Sequence, residues 1–314
     1  MFTNRTPMPT DPAIVRRLDM LCARVLARLP QPASRASTTI DQMSYSHIVQ
    51  ETTARVNCFY EPCIVCVLQG NKKSLVGDRE FDYGRGASLY VAVDMPSSYY
   101  IYNVSKEHPF LTISFDINNE IISHILNELL AATPNLPTTS GDYGLSVDVM
   151  SPHLLDVLLQ LTALESTDDA NAKRILAPAL LTQLYYYLIT SQHGPYIRNF
   201  FNKGSSRAAI YRVINHLKRH FTEEEDIEGL AQNIAYMQPS TFFKHFKHVT
   251  GLSPLQYKKR LRLIEAKKLI EIEHLPVSQS AYKVGYDSLS QFSRDFKRLF
   301  EISPSDLGKH ALIV

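Results

Sequence analysis

The sequence predicts an α+β chain in two parts: a small antiparallel β-barrel accompanied by helices, then an all-α domain built on two helix-turn-helix units. Three observations carry this prediction. Residues 40–117 form a run of short apolar segments punctuated by turns. A stretch near the C-terminus is written twice, residues 225–254 lining up without a gap on 275–304. Charge also divides along the chain: up to Asn202 there are 15 Lys+Arg against 19 Asp+Glu, and from Lys203 onward 18 against 12. An acidic first part with a basic last part is the asymmetry expected when only one domain meets phosphate.

Taken in order, the first ten residues, with Pro7 and Pro9, read as a loose tail. Pro12–Leu29 is an amphipathic helix with Ile14, Leu18, Leu21, Val25 and Leu29 on one face. Cys63–Leu68 is a buried apolar strand, and Lys73–Val76 and Glu80–Tyr83 flank Gly77-Asp78, a hairpin turn. Strands at Ser88–Val93, Tyr99–Val104 and Phe110–Phe115 follow, and short strands at this spacing predict the barrel. Cys58, Cys63 and Cys66 are candidates for electrophile or effector sensing. On a strand, however, Cys63 and Cys66 point to opposite faces and cannot readily share a metal or a disulfide, so core packing is the commoner reading. Tyr99, Tyr100 and Tyr102 read as strand-packing aromatics. His47 and His108 are isolated, and no metal set and no cofactor fingerprint is seen.

Helices are predicted at Asn118–Ala131, Pro152–Glu165 and Ala172–Ser191. The last carries the stripe Leu180, Leu181, Leu184 and Leu188, which is either core or a self-complementary dimer face. Residues 192–206 have the composition of a linker, which gives domains at 1–191 and 207–314.

Each copy of the repeat reads as a short helix, a tight turn and a second helix. In the first, Ile227, Leu230, Ala231 and Ile234 make one apolar face, Pro239 suits the first turn of the next helix, and Gly251 ends it. Phe242, Phe246 and Val249 form the buried stripe of that second helix, leaving Ser240, Phe243, Lys244 and Lys247 outside it. In the second copy Gly285 supplies the turn, Asp287 or Ser288 caps, and Phe292, Phe296 and Leu299 face inward. Ser290, Gln291, Arg294, Lys297 and Arg298 remain outside. Helices that bury aromatics and expose Ser, Gln, Lys and Arg at their first turns are what major-groove reading requires. Two copies are few for a solenoid, which argues against a purely structural repeat.

At GLSPLQYKKRLRLIEAKKLI (251–270) and AYKVGYDSLSQFSRDFKRLFEISP (281–304) the chain resembles the DNA-binding domain of the AraC/XylS family of bacterial transcription regulators. The resemblance implies one long helix, from about Pro254 to Ile272, joining the two units and containing Arg262 and Ala266. It implies base-reading positions at Ser240, Phe243 and Lys244 in the first unit and at Ser290, Gln291 and Arg294 in the second. The first unit departs from the pattern, with Ala235 in place of the turn glycine and an aromatic Phe243 where a polar reader is common, so an apolar contact such as a thymine methyl is expected there. Lys247, Lys297 and Arg298 are placed for phosphate. YEPCIVCVLQG (60–70) with GDREFDYGRG (77–86) resembles the N-terminal, cupin-like domain of one branch of that family. This implies a sensory or dimerising barrel.

No run of about 18 apolar residues suggests a membrane span, and no nucleophile elbow, phosphate loop or dinucleotide fingerprint suggests an enzyme. The expected protein is a cytoplasmic homodimeric regulator that is not an enzyme. Its partners would be double-stranded promoter DNA, a small-molecule effector and RNA polymerase. A catalytic cupin fused to a DNA-targeting module, and a DNA-binding dimer without a ligand, are the alternatives.

Overall fold

The structure, a computed structural model, describes residues 4–133, 144–201, 205–224 and 226–311. In chain order it holds β1 (Asn4–Arg5), α1 (Pro12–Arg28), β2 (Ala33–Ser37), β3 (Met43–Ile48), β4 (Val56–Tyr60), β5 (Cys63–Gln69), β6 (Asn71–Val76), β7 (Arg79–Gly84), β8 (Ala87–Val91), β9 (Met95–Tyr102) and β10 (Phe110–Asp116). Then come α2 (Asn119–Ala132), β11 (Leu145–Val149), α3 (Pro152–Ser166), α4 (Ala170–Thr190) and α5 (Gly194–Phe201). The remainder is helical: α6 (Ser206–His220), α7 (Ile227–Asn233), α8 (Pro239–Thr250), α9 (Pro254–Glu271), α10 (Val277–Lys283), α11 (Leu289–Phe300) and α12 (Pro304–Ala311). Two compact units result: the second begins before α6 and also takes in Asn57–Phe59 of β4, and the first holds the remaining elements up to α5.

In the first unit the described strands pair as two sheets, one of five strands in the order β1-β7-β6-β9-β4 and one of six in the order β11-β8-β5-β10-β3-β2. β5, the most apolar strand, lies between β8 and β10 inside the six-stranded sheet, which is why its sequence reads as a continuous buried run. The β6–β7 hairpin closes at Val76↔Arg79 around Gly77-Asp78, as its turn residues predict. The start of the chain is more ordered than a loose tail: β1 pairs in parallel with β7, and the Thr6 amide donates to the Asp82 carbonyl at 3.0 Å.

Helices cover the sheets. Asp11 caps α1 through the Ala13 amide, Pro12 opens it, and Leu18, Leu21, Cys22 and Val25 are its buried face. Arg17–Asp156 and Arg28–Glu165 ion pairs, at 2.6 and 2.9 Å, tie α1 to α3. His47 is a satisfied core histidine, its Nδ1 2.9 Å from the Leu29 carbonyl at the end of α1.

Two expectations are corrected here. Residues 192–206 are not all linker, because α5 folds within them and buries Ile197 and Phe200, and His193 just before it is buried as well. The polar composition that suggested a linker is used inside: His193 lies between the hydroxyls of Ser88 and Ser146 at 2.9 and 2.7 Å. Burial pushes that imidazole down to about 4, so it is neutral near pH 7. The leucine stripe of α4 is core, since Leu184 and Leu188 are fully buried within this one chain and Leu181 nearly so, with Leu180 at the edge. Periodicity reports an apolar face but not what covers it.

Candidate nucleic-acid interface

The fifty-residue offset of the sequence is kept by the fold. Ile227–Asn233 corresponds to Val277–Lys283, and Pro239–Thr250 to Leu289–Phe300, residue for residue. In each copy the second helix buries two phenylalanines completely, Phe242 and Phe246 in α8 and Phe292 and Phe296 in α11. Phe246 packs edge-on against Tyr257 of α9 at 5.4 Å between ring centres, and Phe292 packs edge-on against Tyr286 at 5.3 Å. Burial of these rings fixes which side of each helix faces out.

All six residues singled out as base readers lie on those outer faces. Ser240, Phe243 and Lys244 are exposed on α8, and Ser290, Gln291 and Arg294 on α11. Lys247, Lys297 and Arg298 are exposed in the last turns, where a cation also complements the helix dipole. Sequence reasoning passed over Leu289, the first residue of α11, which is exposed beside Ser290.

The two units are held by α9, which contains Arg262 and Ala266 as the resemblance implied. Ser253 and Gln256 form a capping box at its start. From its middle, Arg262 donates through Nε to the Phe221 carbonyl at 2.6 Å, through Nη2 to the Thr222 carbonyl at 3.1 Å, and through Nη1 to the Gly285 carbonyl at 2.7 Å. The first two acceptors follow α6, where a helix leaves carbonyls without partners, and the third is the turn of the second unit. Lys258 donates to the Glu223 carbonyl in the same region. Lys259 pairs at 2.6 Å with Asp295, a buried carboxylate on the inner side of α11. Gly285 adopts φ +84°, and a Cβ there would sit 2.7 Å from the Thr222 carbonyl oxygen. A glycine is needed for both the conformation and the close approach. Beside these anchors lies a cleft of about 730 Å³, lined by residues of both signs that include Lys259, Asp287 and Gln291.

In the first unit Cys63 and Cys66 sit on β5 as free thiols, and burial pushes both up to about 12. Thiols held that high carry little thiolate at neutral pH, which favours packing over reaction with electrophiles. Cys58 is half-buried on β4. Among the described residues no three His, Cys, Asp or Glu side chains are grouped to hold a metal ion, and no helix is long and apolar enough to cross a membrane.

Two family matches partition the chain as the fold does. Residues 231–310 match a helix-turn-helix domain. Residues 39–196, half of the chain, match the family described as AraC-type transcriptional regulator N-terminus. The chain belongs to the AraC family of transcriptional regulators. This AraC-family protein is 28% identical over 210 residues to the probable transcriptional regulator LumQ of Photobacterium leiognathi, which covers 67% of this chain and 78% of LumQ. Its C-terminal part is 34% identical over 108 residues to the HTH-type transcriptional activator RhaS of Salmonella schwarzengrund, a match spanning 38% of RhaS. Its fold is similar to that of ToxT from Vibrio cholerae, with a TM-score of 0.60 at 14% identity over 87% of this chain and 98% of ToxT. As a member of the AraC family it is a DNA-binding transcriptional regulator.

Proposed function

We propose that this regulator reads promoter DNA with two helices of one chain in successive major grooves, about 34 Å apart along one face of the duplex. Ser240, Phe243 and Lys244 read one half-site and Ser290, Gln291 and Arg294 the other; Lys247, Lys297 and Arg298 hold phosphate. The observation that carries this reading is the pair of exposed, repeat-related helix faces fixed to a single connecting helix by Arg262. Footprinting the full chain on a bound promoter fragment should protect two segments one helical turn apart. A single short protected patch overturns it.

The same proposal gives the first unit a small-molecule effector and the protein a cytoplasmic, homodimeric state in which DNA binding is passed on to RNA polymerase. Support for an effector comes from the family of the N-terminal half and from ToxT, of which one structure is described as bound to an unsaturated fatty acid and another to a naphthalenyl butenoic acid. For the dimer, the outer side of α4 replaces the buried leucines: Ile175, Leu176 and Tyr186 are 63%, 51% and 44% exposed. Leu176→Glu should leave the fold intact by circular dichroism and shift sedimentation from dimer to monomer; an unchanged dimer moves the interface elsewhere.

A further inference from the structure

The turns of the two helix-turn-helix units differ by one residue, and the difference turns a tyrosine outward. In the second unit the Tyr286 amide donates to the Ala281 carbonyl at 3.0 Å, directly after Gly285 in the left-handed conformation. In the first the matching bond runs from the Met237 amide to the Ala231 carbonyl at 2.9 Å, directly after Tyr236, left-handed at φ 55°. By the fifty-residue offset Tyr236 matches Tyr286, but by conformation it matches Gly285. Tyr286 is 6% exposed and meets Phe292 edge-on, whereas Tyr236 is 79% exposed. That is the highest exposure of any large apolar side chain among the described residues.

Both properties of Tyr236 work against the fold taken alone. The left-handed conformation strains a residue with a β-carbon and leaves glycine unstrained, and a ring in water forgoes the burial that Tyr286 gains. Strain held in one copy and avoided in the other is characteristic of a position that serves binding. Its place in the unit says what it meets. The first helix of such a unit crosses the sugar-phosphate backbone, and the second enters the major groove by its N-terminal end. The turn from α7 to α8 runs between these two places. A side chain standing out from it, three residues ahead of Pro239, then faces the phosphate rim of the groove and not the base edges. A phenol suits that rim, because its hydroxyl donates to a phosphate oxygen while its ring lies along the sugar. Unlike Lys247 it brings no cation, so it displaces no counterion.

We propose that Tyr236 contacts the DNA backbone at the edge of the first half-site, its hydroxyl on one phosphate and its ring against the adjoining sugar. The proposal rests on the reading that α8 enters a major groove. The test uses the full chain, with Tyr236→Phe and Tyr236→Gly, on a duplex selected by the native chain from a random-sequence pool. Tyr236→Phe should weaken binding about fivefold, as the loss of one hydrogen bond does, on all base-substituted duplexes alike and with an unchanged salt slope. Tyr236→Gly should weaken it further while leaving the denaturation midpoint unchanged or higher, since glycine takes the left-handed turn without strain. Phosphate ethylation should interfere with the native chain at one position that no longer matters to Tyr236→Phe. Should both variants bind as tightly as the native chain, or the interference pattern be the same in Tyr236→Phe, the contact is overturned while the reading of α8 stands on its two-segment footprint. A changed base preference in Tyr236→Phe would likewise overturn it, placing the ring in the groove. If footprinting of the native chain protects a single short patch, both fall.

Discussion

The two helix-turn-helix units share a backbone plan and differ in how each is fastened. In the second, Ser288 caps α11 through the Gln291 amide, Gly285 makes the turn at φ +84°, Tyr286 is buried, and polar groups on α9 grip both the turn and the inner side of α11. In the first, no side chain caps α8, the left-handed turn residue is Tyr236 at φ 55°, and that ring is 79% exposed. Its α8 meets α9 through the Phe246–Tyr257 contact, and the Lys259–Asp295 ion pair belongs to α11. The outer faces differ in the same sense, with Phe243 and Lys244 on α8 against Gln291 and Arg294 on α11. The geometry of a recognition helix thus survives a change of fastening, while its chemistry is free to diverge.

The sharpest way to break this comparison is to exchange the turn residues. Gly285→Ala forces a left-handed alanine against the Thr222 carbonyl and should cost about 3 kcal/mol, lowering the denaturation midpoint of the protein's helical unit. Ala235→Gly at the matching position should cost only about 1 kcal/mol, through chain entropy. Equal effects would mean that the second turn is not an anchor.

Reading is the next level. Arg294→Ala should lose about 1–3 kcal/mol at one base pair and relax its specificity, measured by competition among operator variants. Lys297→Ala should weaken all sequences alike and reduce the salt slope by about one. A changed sequence preference in Lys297→Ala would reverse these two roles. Phe243→Ala should lose about 1 kcal/mol, confined to sites carrying a thymine methyl in the first half-site.

The smallest effect concerns helix ends. Gly251 closes α8 in the left-handed conformation at φ 77°, and Glu301 does the same for α11 at φ 63°. Glu301→Gly should therefore stabilise by about 1 kcal/mol in chemical denaturation, and Gly251→Ala should destabilise by a similar amount.

Much of this was legible in the sequence, for identifiable reasons. The repeat declared both helix pairs because Phe242, Phe246 and Gly251 mark the inner face and the end of α8 in a single pattern. The hairpin at Gly77-Asp78 was legible because turn chemistry is local. β2 escaped because Ala33–Ser37 is polar and largely exposed, so no alternation of apolar residues marks it. α5 escaped because His193 finds its partners in Ser88 and Ser146, far away in the chain. The leucines of α4 were visible as a stripe, but whether a neighbour of the same chain covers them is a tertiary fact. The outer faces of α8 and α11 were legible; the reach of Arg262 to Phe221 and Gly285 was not, since contacts across tens of residues leave no periodic trace.

The connecting helix has a consequence for the DNA. Its 18 residues span about 27 Å, and the carbonyls gripped by Arg262 leave the two reading helices little freedom to adjust their spacing. A stiff ruler passes any mismatch in helical repeat to the more compliant partner. If the proposed two-groove reading holds, base pairs between the half-sites should be selected for how easily they bend or twist, with flexible pyrimidine–purine steps favoured over rigid A-tracts.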